Sequence, residues 1–526
     1  MIRSFLSWRV SARVPSRAFS VVVAGSTCCL LFQSCSAAGP APTAAPAAAA
    51  VEIPRTWDDE QIASLEVPLA QGEHSPHREG SDYYYRIPVR QIFKSYPVYH
   101  PDHEPPGYIE HLQSLEPEIA FDATRLHTED DWIQAGEVVF SVPITYDTLV
   151  KIENVRDRSW YGTSRVPVTT DGEVPFFRYF VLEKGTVSLG QFSCATCHTR
   201  VMPDGSKIVG AQGNFPLDHL DAVSLARRAE RTKDPEALLE RYRRSLITPY
   251  GAPWLGENDP SAHYNQMSLQ DLVALQEAIP PGVHARFGTS TLNPVQIPDL
   301  IGVRDRHYLD RTGLMKHRSI GDLMRYAAIN QGLFYVDHYS DFTPAGRLLE
   351  PETMERYSDE QLYALALYLY SLKPPPNPNA WGPQAARGKE VFEQSGCWRC
   401  HTPPLYTSNK LTPVDGFDPG PDHPQSADIL PYSVGTDPGL ALHTRRGTGF
   451  YKVPSLKGVW YRGPFEHSGS VATLEDWFDP RRHDQDYVPT GYRGPLTTTR
   501  AVQGHPFGLD LSAEDKAALI AFLRTL

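Results

Sequence analysis

Cys194-Ala195-Thr196-Cys197-His198 and Cys397-Trp398-Arg399-Cys400-His401 are the two stretches that decide how this chain reads. Each is C-x-x-C-H, the pattern through which haem is attached covalently to protein. Two thiols at this spacing reach two vinyl groups of one porphyrin and form thioethers. The histidine that follows is placed under the iron as proximal ligand. The chain has seven cysteines, and the three outside the motifs (Cys28, Cys29 and Cys35) lie near the N-terminus, so none is left for a disulfide framework. A four-cysteine zinc site would not need a histidine after each pair. A thioredoxin-type motif would occur once, near a βαβ pattern. The expectation is two covalently bound haem c groups, held by Cys194, Cys197 and His198 and by Cys397, Cys400 and His401.

Outward from the motifs the sequence repeats itself. Gly388-Lys389-Glu390-Val391-Phe392 runs into the second motif, and Gly136-Glu137-Val138-Val139-Phe140 lies well upstream of the first. Residues 141–192 read as an insertion with some β-hairpin, from the strand-like run 177–182 and the turn signal Thr170-Asp171-Gly172. Downstream, Ile297-Pro298-Asp299-Leu300-Ile301-Gly302-Val303 aligns with Val453-Pro454-Ser455-Leu456-Lys457-Gly458-Val459, and the same spacing relates Gly313 to Gly469. Each repeat closes with one helix, predicted over 362–372 and 516–526. Ser358 and Ser512, each followed by acids, suit the helix starts. Leu365/Leu519, Tyr368/Phe522, Leu369/Leu523 and Leu372/Leu526 recur at i, i+3, i+4, i+7 and predict a core-facing stripe.

The fold class expected is mainly α: two tandem, duplicated cytochrome c-like domains, loop-rich, with a small β-hairpin insertion in the first. The 47 prolines in 526 residues, well above the roughly 5% average, fit that much loop. The predicted organisation is an export signal over 1–36, an Ala/Pro tether over 37–53 and an N-terminal extension over 54–130 with no legible chemistry. The first haem domain follows over 131–373, then a Pro-rich linker over 374–380 and the second haem domain over 381–526.

Arg3, Arg9, Arg13 and Arg17 precede an apolar run, 21–32, of signal-peptide length and too short to span a bilayer. Leu31-Phe32-Gln33-Ser34-Cys35 resembles a lipoprotein cleavage box that would make Cys35 the acylated first residue of a lipid-anchored chain. Cleavage around Ala37 or Ala38 is the alternative. Both place the protein in the periplasm or cell envelope. The net charge of −12 argues against nucleic acid as a partner. It would suit a basic redox partner, a small cytochrome or another electron donor or acceptor.

The remaining iron ligands are less directly written. The last methionine is Met354, so no methionine follows His401. Among the later histidines, His505 in Gly504-His505-Pro506-Phe507-Gly508 has glycines that allow close backbone approach; His467 is a further candidate. For haem 1, His219 could ligate from the loop after the motif, and Met315, His317 and Tyr308 are candidate catalytic residues. No sixth ligand stands out, and an open iron is the configuration that binds peroxide or dioxygen. Trp254, Trp398, Tyr308 and Trp460 are aromatics available to conduct between the haems.

The two motifs, together with Tyr451-Lys452-Val453-Pro454-Ser455-Leu456 and Gly463-Pro464-Phe465-Glu466-His467-Ser468-Gly469-Ser470-Val471-Ala472-Thr473-Leu474, resemble the di-haem cytochrome c peroxidase superfamily. That superfamily includes the methylamine-utilisation di-haem enzyme. The last string is similar to its His-Asp-Gly-Ser-Val-x-Thr-Leu signature, with Ser468 in place of Asp. Among branches the chain is most similar to the haem-dependent rubber oxygenases, on Gly504-His505-Pro506-Phe507-Gly508 and Gly210-Ala211-Gln212-Gly213-Asn214-Phe215-Pro216. The resemblance implies His401 and His505 as a bis-histidine pair on haem 2, and His198 on a haem 1 whose distal side is open. It implies a peroxidase- or oxygenase-type oxidoreductase acting on peroxide, dioxygen or an organic substrate. A non-catalytic di-haem electron carrier is the alternative.

Overall fold

The computed structural model describes residues 52–526, apart from 421–422 and 424–427. The predicted export leader, Cys35 and the Ala/Pro tract over 37–50 lie outside the described residues. The helices that position the two motifs are α1 (Glu129–Phe140), α2 (Leu217–Arg231), α3 (Ile320–Asn330), α4 (Asp359–Ser371), α5 (Pro383–Gln394) and α6 (Ala513–Arg524). Helix outweighs strand. No helix among the described residues is long and apolar enough to cross a membrane.

The closing helices α4 and α6 start where the serines predict. Ser358 Oγ accepts from Gln361 N at 3.1 Å while Gln361 Oε1 accepts from Ser358 N at 3.0 Å, a reciprocal cap. Ser512 Oγ accepts from Asp515 N at 3.1 Å. α4 packs on α1 and α6 packs on α5 through the same contact. A Cβ on Gly136 would collide with the Ala364 carbonyl and the Tyr368 side chain, and one on Gly388 with the Ala518 carbonyl and Phe522. Only glycine lets the helix backbones approach this closely. Leu365, Tyr368 and Leu369 on α4, and Leu519, Phe522 and Leu523 on α6, are buried as the stripe requires.

The insertion is larger than the predicted hairpin. Strands β1 (Ser95–Tyr99), β2 (Thr145–Tyr146), β3 (Glu173–Glu183) and β4 (Thr186–Gln191) form one antiparallel sheet in the order β1-β3-β4-β2. The turn signal Thr170-Asp171-Gly172 leads into β3, and the hairpin itself turns at Lys184-Gly185, with Gly185 at φ 87. Val174, Phe176, Phe177, Tyr179, Leu189 and, from α2, Leu217 and Leu220 make the core of this layer.

β1 comes from the segment predicted as a separate extension. That segment also fills the core of the first repeat: Trp57, Leu65, Leu69, Tyr83, Tyr84, Ile87 and Ile92 share a cluster with Phe140 of α1, Met324 of α3 and Leu365 of α4. Residues 53–526 form one unit. The Pro-rich stretch before α5 is pinned by Asn377 Nδ2, which donates to the Arg524 carbonyl at 2.8 Å.

Candidate haem-binding sites

β4 delivers the first motif. Ser193 caps the short helical turn Cys194–Cys197, its Oγ accepting from Thr196 N at 3.2 Å. Thr196 Oγ1 in turn donates to the Phe176 carbonyl of β3 at 3.0 Å, so the sheet holds the thiols in place. His198 N donates to the Cys194 carbonyl at 2.9 Å. In the second motif Gly396, at φ 73, opens a 3₁₀ turn over Cys397–Arg399, and His401 N donates to the Cys397 carbonyl, again at 2.9 Å. The two motifs therefore fold alike from different surroundings.

All four thiols are free, with no disulfide in either pair. Burial pushes Cys194 up to about 12 and Cys197 up to about 11. Such thiols stay protonated in the unliganded protein. Among the described residues no group of His, Cys, Asp and Glu is arranged to hold a bare metal ion.

The two motif histidines, the candidate proximal ligands, are oriented by backbone. Nδ1 of His198 donates to the Pro298 carbonyl at 3.0 Å, and Nδ1 of His401 to the Tyr406 carbonyl at 3.2 Å, with the Pro454 carbonyl also facing that ring. Fixing the proton on Nδ1 leaves Nε2 as the nitrogen free to bind a metal. Pro298 and Pro454 are equivalent positions of the repeat, which gives the Ile/Val-Pro-x-Leu strings a purpose that periodicity alone did not reveal. Burial lowers both rings to about 4 and keeps them neutral, as metal binding requires.

His505 stands opposite His401. Their ring centres are 6.3 Å apart. An imidazole nitrogen binds a metal at about 2 Å, and its ring centre lies about 1 Å further on, so one iron between two imidazoles sets the rings about 6 Å apart. Nδ1 of His505 is buried with no protein partner, and burial beside His401 lowers the ring to about 3. The residues fit a haem iron with two histidine ligands. The loop carrying His505 is held by a residue that the sequence did not single out. Arg482, 1% exposed, donates to the carbonyls of Trp477 (3.0 Å), Val502 (2.7 Å) and His505 itself (2.8 Å). The neighbouring His483 is hydrogen-bonded to the Gly504 carbonyl at 3.2 Å.

The other candidates are engaged elsewhere. Both ring nitrogens of His219 face acceptors, Glu277 Oε2 at 2.5 Å and the Thr163 carbonyl at 2.8 Å, which takes it out of the ligand set. His317 lies between the Arg306 carbonyl (2.7 Å) and the Tyr370 hydroxyl (2.7 Å), and Met315 is 1% exposed within the core. The Tyr308 hydroxyl bonds to Asp428 N at 2.9 Å. His467 stacks on Tyr451 at 4.4 Å and lines a cavity of about 490 Å³ with His263, His443, Tyr492 and Arg500. Trp254 stacks between His74 and Tyr339, Trp398 is exposed, and Trp460 packs edge-on to Tyr461. Gln212 and Asn214, from the string 210–216, bond to backbone. Gln212 donates to the Gly282 and Pro464 carbonyls, both at 3.0 Å, and accepts from Gly463 N at 3.1 Å. Asn214 pairs with both backbone groups of Val201. That string ties the first repeat to the loop of the second.

No protein-family model matches the chain. A stretch of 120 residues is 30% identical to the cytochrome-c peroxidase IdrP1 of Denitromonas iodatirespirans, covering 18% of this chain and 31% of that protein. The chain thus aligns with about a third of the curated relative's length. Among solved structures, hydrazine synthase of Kuenenia stuttgartiensis is 16% identical with a TM-score of 0.28, covering 58% of this chain and 92% of that one. A MauG-like protein associated with microbial copper homeostasis is 19% identical with a TM-score of 0.21, covering 32% and 56%.

Proposed function

We propose that this chain is an exported di-haem c-type cytochrome acting as an oxidoreductase of the cytochrome c peroxidase superfamily, with two cytochrome c-like domains and its reactive centre at haem 1. The observation that carries the reading is the contrast between the two histidine environments. His401 faces His505 at 6.3 Å, whereas His219, the histidine that the sequence offers to haem 1, is held by Glu277 and the Thr163 carbonyl. Haem, once bound, supplies one-electron transfer and, where an axial position is open, binding of peroxide or dioxygen.

The protein's own part is attachment, orientation and exclusion. Cys194 and Cys197, and Cys397 and Cys400, would hold the two haems by adding their thiols across the vinyl groups as thioethers. The Pro298 and Tyr406 carbonyls hold the Nδ1 protons of His198 and His401, so that each ring presents Nε2. His505, facing His401, would hold the iron of haem 2 together with it, which would suit that centre to relay electrons from a basic redox partner such as a small cytochrome. The rubber-oxygenase branch, cell-envelope location and a lipid anchor through Cys35 belong to the same proposal.

The test is the resting EPR spectrum of the purified protein, with a pyridine haemochrome assay of haem content. Two haem c per chain, one low-spin and one high-spin signal, and carbon monoxide binding to one ferrous haem are expected. Two low-spin haems that both refuse carbon monoxide would favour the electron carrier and overturn the enzyme reading.

A further inference from the structure

The loops that orient the two proximal histidines also enclose a chamber of about 30 Å³. Beside Pro298 and Pro454, its walls carry Arg306, Arg311, Lys452 and Arg462, with Asp299 as the lone carboxylate. Arg306 and Arg462 are equivalent positions of the repeat, related by the spacing that relates Pro298 to Pro454. Their bonds are equivalent too. Arg306 donates to the Asp299 carbonyl, and Arg462 Nη2 donates to the Ser455 carbonyl at 2.7 Å.

The four cations outnumber the counter-charge beside them. The Asp299 carboxylate accepts from the Tyr461 hydroxyl at 3.0 Å and from Ile301 N at 3.1 Å. The nearby Asp310 is taken by Arg286 and Arg446. Nε of Arg311 and of Arg462 are buried without an acceptor, and Lys452 Nζ reaches only the Tyr308 carbonyl, at 3.2 Å. Burial and the neighbouring arginines pull Arg311 down to about 9 and Lys452 well below the usual lysine range. Buried cations in this state call for anions.

We propose that the chamber receives the propionate carboxylates of both haems, Arg306 and Arg462 each serving the haem of its own repeat while Arg311 and Lys452 are shared. The proposal rests on the di-haem reading. Its grounds are position, between the loops that hold both proximal histidines, and size. Room for a single water needs roughly 10–15 Å³, so the chamber takes carboxylate ends and not a free organic ligand. Guanidinium forks match carboxylates in shape and charge. The same cations disfavour ferric iron, so they raise both reduction potentials and link them, because shared charges feel the oxidation state of either haem.

The test uses full-length holoprotein, with haem content from the pyridine haemochrome and midpoint potentials from spectroelectrochemistry. Arg311→Gln and Lys452→Met should lower both potentials. Arg306→Gln should lower mainly that of haem 1, and Arg462→Gln mainly that of haem 2. Asp299→Asn, which removes the chamber's negative charge, should raise both, and Arg311→Lys should leave them near wild type. Asp299→Asn is near-isosteric and keeps the test decisive if a larger change fails to fold. Haem-loaded Arg311→Gln, Lys452→Met and Asp299→Asn variants with unmoved potentials would overturn the chamber alone. So would wild-type potentials that shift with added inorganic phosphate while the Arg311→Gln potentials do not, since the anion would then be a free one. Wild-type protein without haem c would sink the di-haem reading, and the chamber with it.

Discussion

Arg482 directs three donors at backbone carbonyls, one of them belonging to His505. His505 sits at φ 48, a left-handed conformation that non-glycine residues rarely adopt. Such a backbone persists only when its surroundings over-determine it, at a cost of roughly 1–3 kcal/mol. Arg482 and His483 supply that restraint. Arg482→Met should therefore destabilise the protein by about 3 kcal/mol or more, because it leaves buried carbonyls unpaired. It should also convert part of the low-spin haem 2 signal to high-spin at unchanged haem content. A melt combined with EPR separates the two effects, and a lower melting temperature with an intact low-spin signal would mean that Arg482 is structural only. His505→Ala is the direct ligand test. It should abolish the low-spin bis-histidine signal and let a second ferrous haem bind carbon monoxide. An unchanged spectrum would remove His505 from the iron.

At the scale of elements, the paired contacts Gly136–Ala364 and Gly388–Ala518 make parallel predictions. Gly136→Ala or Gly388→Ala should destabilise by about 1–3 kcal/mol through overpacking, although alanine favours the helix itself. Gly136→Ala should perturb the haem 1 spectrum and Gly388→Ala that of haem 2; circular dichroism in the Soret band reads both. On α2, Asp221 is raised to about 7 by burial and by the Asp218 charge. The folded state therefore favours its neutral form, so its contribution to stability is present below the ordinary carboxylate range and is lost as pH rises towards 7. Asp221→Asn should melt above wild type at pH 8 and match it at pH 4. A constant difference between the two proteins across that range would refute the assignment.

The same elements show what a sequence discloses. The attachment motifs and the helix starts at Ser358 and Ser512 are legible because their chemistry is local: caps, spacing and a stripe at helical period. The sheet was read only in part, since β1 pairs with β3 from far away in the chain. Arg482, and the purpose of Gln212, were hidden because their partners are chiefly backbone groups, which leave no mark on residue type. His219 and His317 looked available only because their partners, Glu277 with Thr163 and Tyr370 with Arg306, are remote in sequence.

At the scale of the whole molecule, the segment predicted as a separate extension is part of the first repeat's core. Trp57, Leu65, Leu69, Tyr83, Tyr84, Ile87 and Ile92 are all buried against α1, α3 and α4. Burying a large apolar side chain is worth roughly 1.5–3 kcal/mol, so these together rival the whole net stability of a domain, about 5–15 kcal/mol. Backbone pairing adds to this: Val67 N donates to the Leu314 carbonyl and Lys316 N to the Leu65 carbonyl, both at 2.8 Å, and β1 supplies an edge of the sheet that anchors Thr196. Residues 131–526 alone should therefore not hold a native first haem site. Expressed with an export leader, that fragment should lose the fixed near-UV and Soret dichroism of haem 1. The α5–α6 pair, whose core of Val391, Phe392, Leu519 and Phe522 owes nothing to the segment, should keep the His401–His505 low-spin signal. A fragment with both haem environments intact would show that the segment is an appendage, and that its buried aromatics stabilise only themselves.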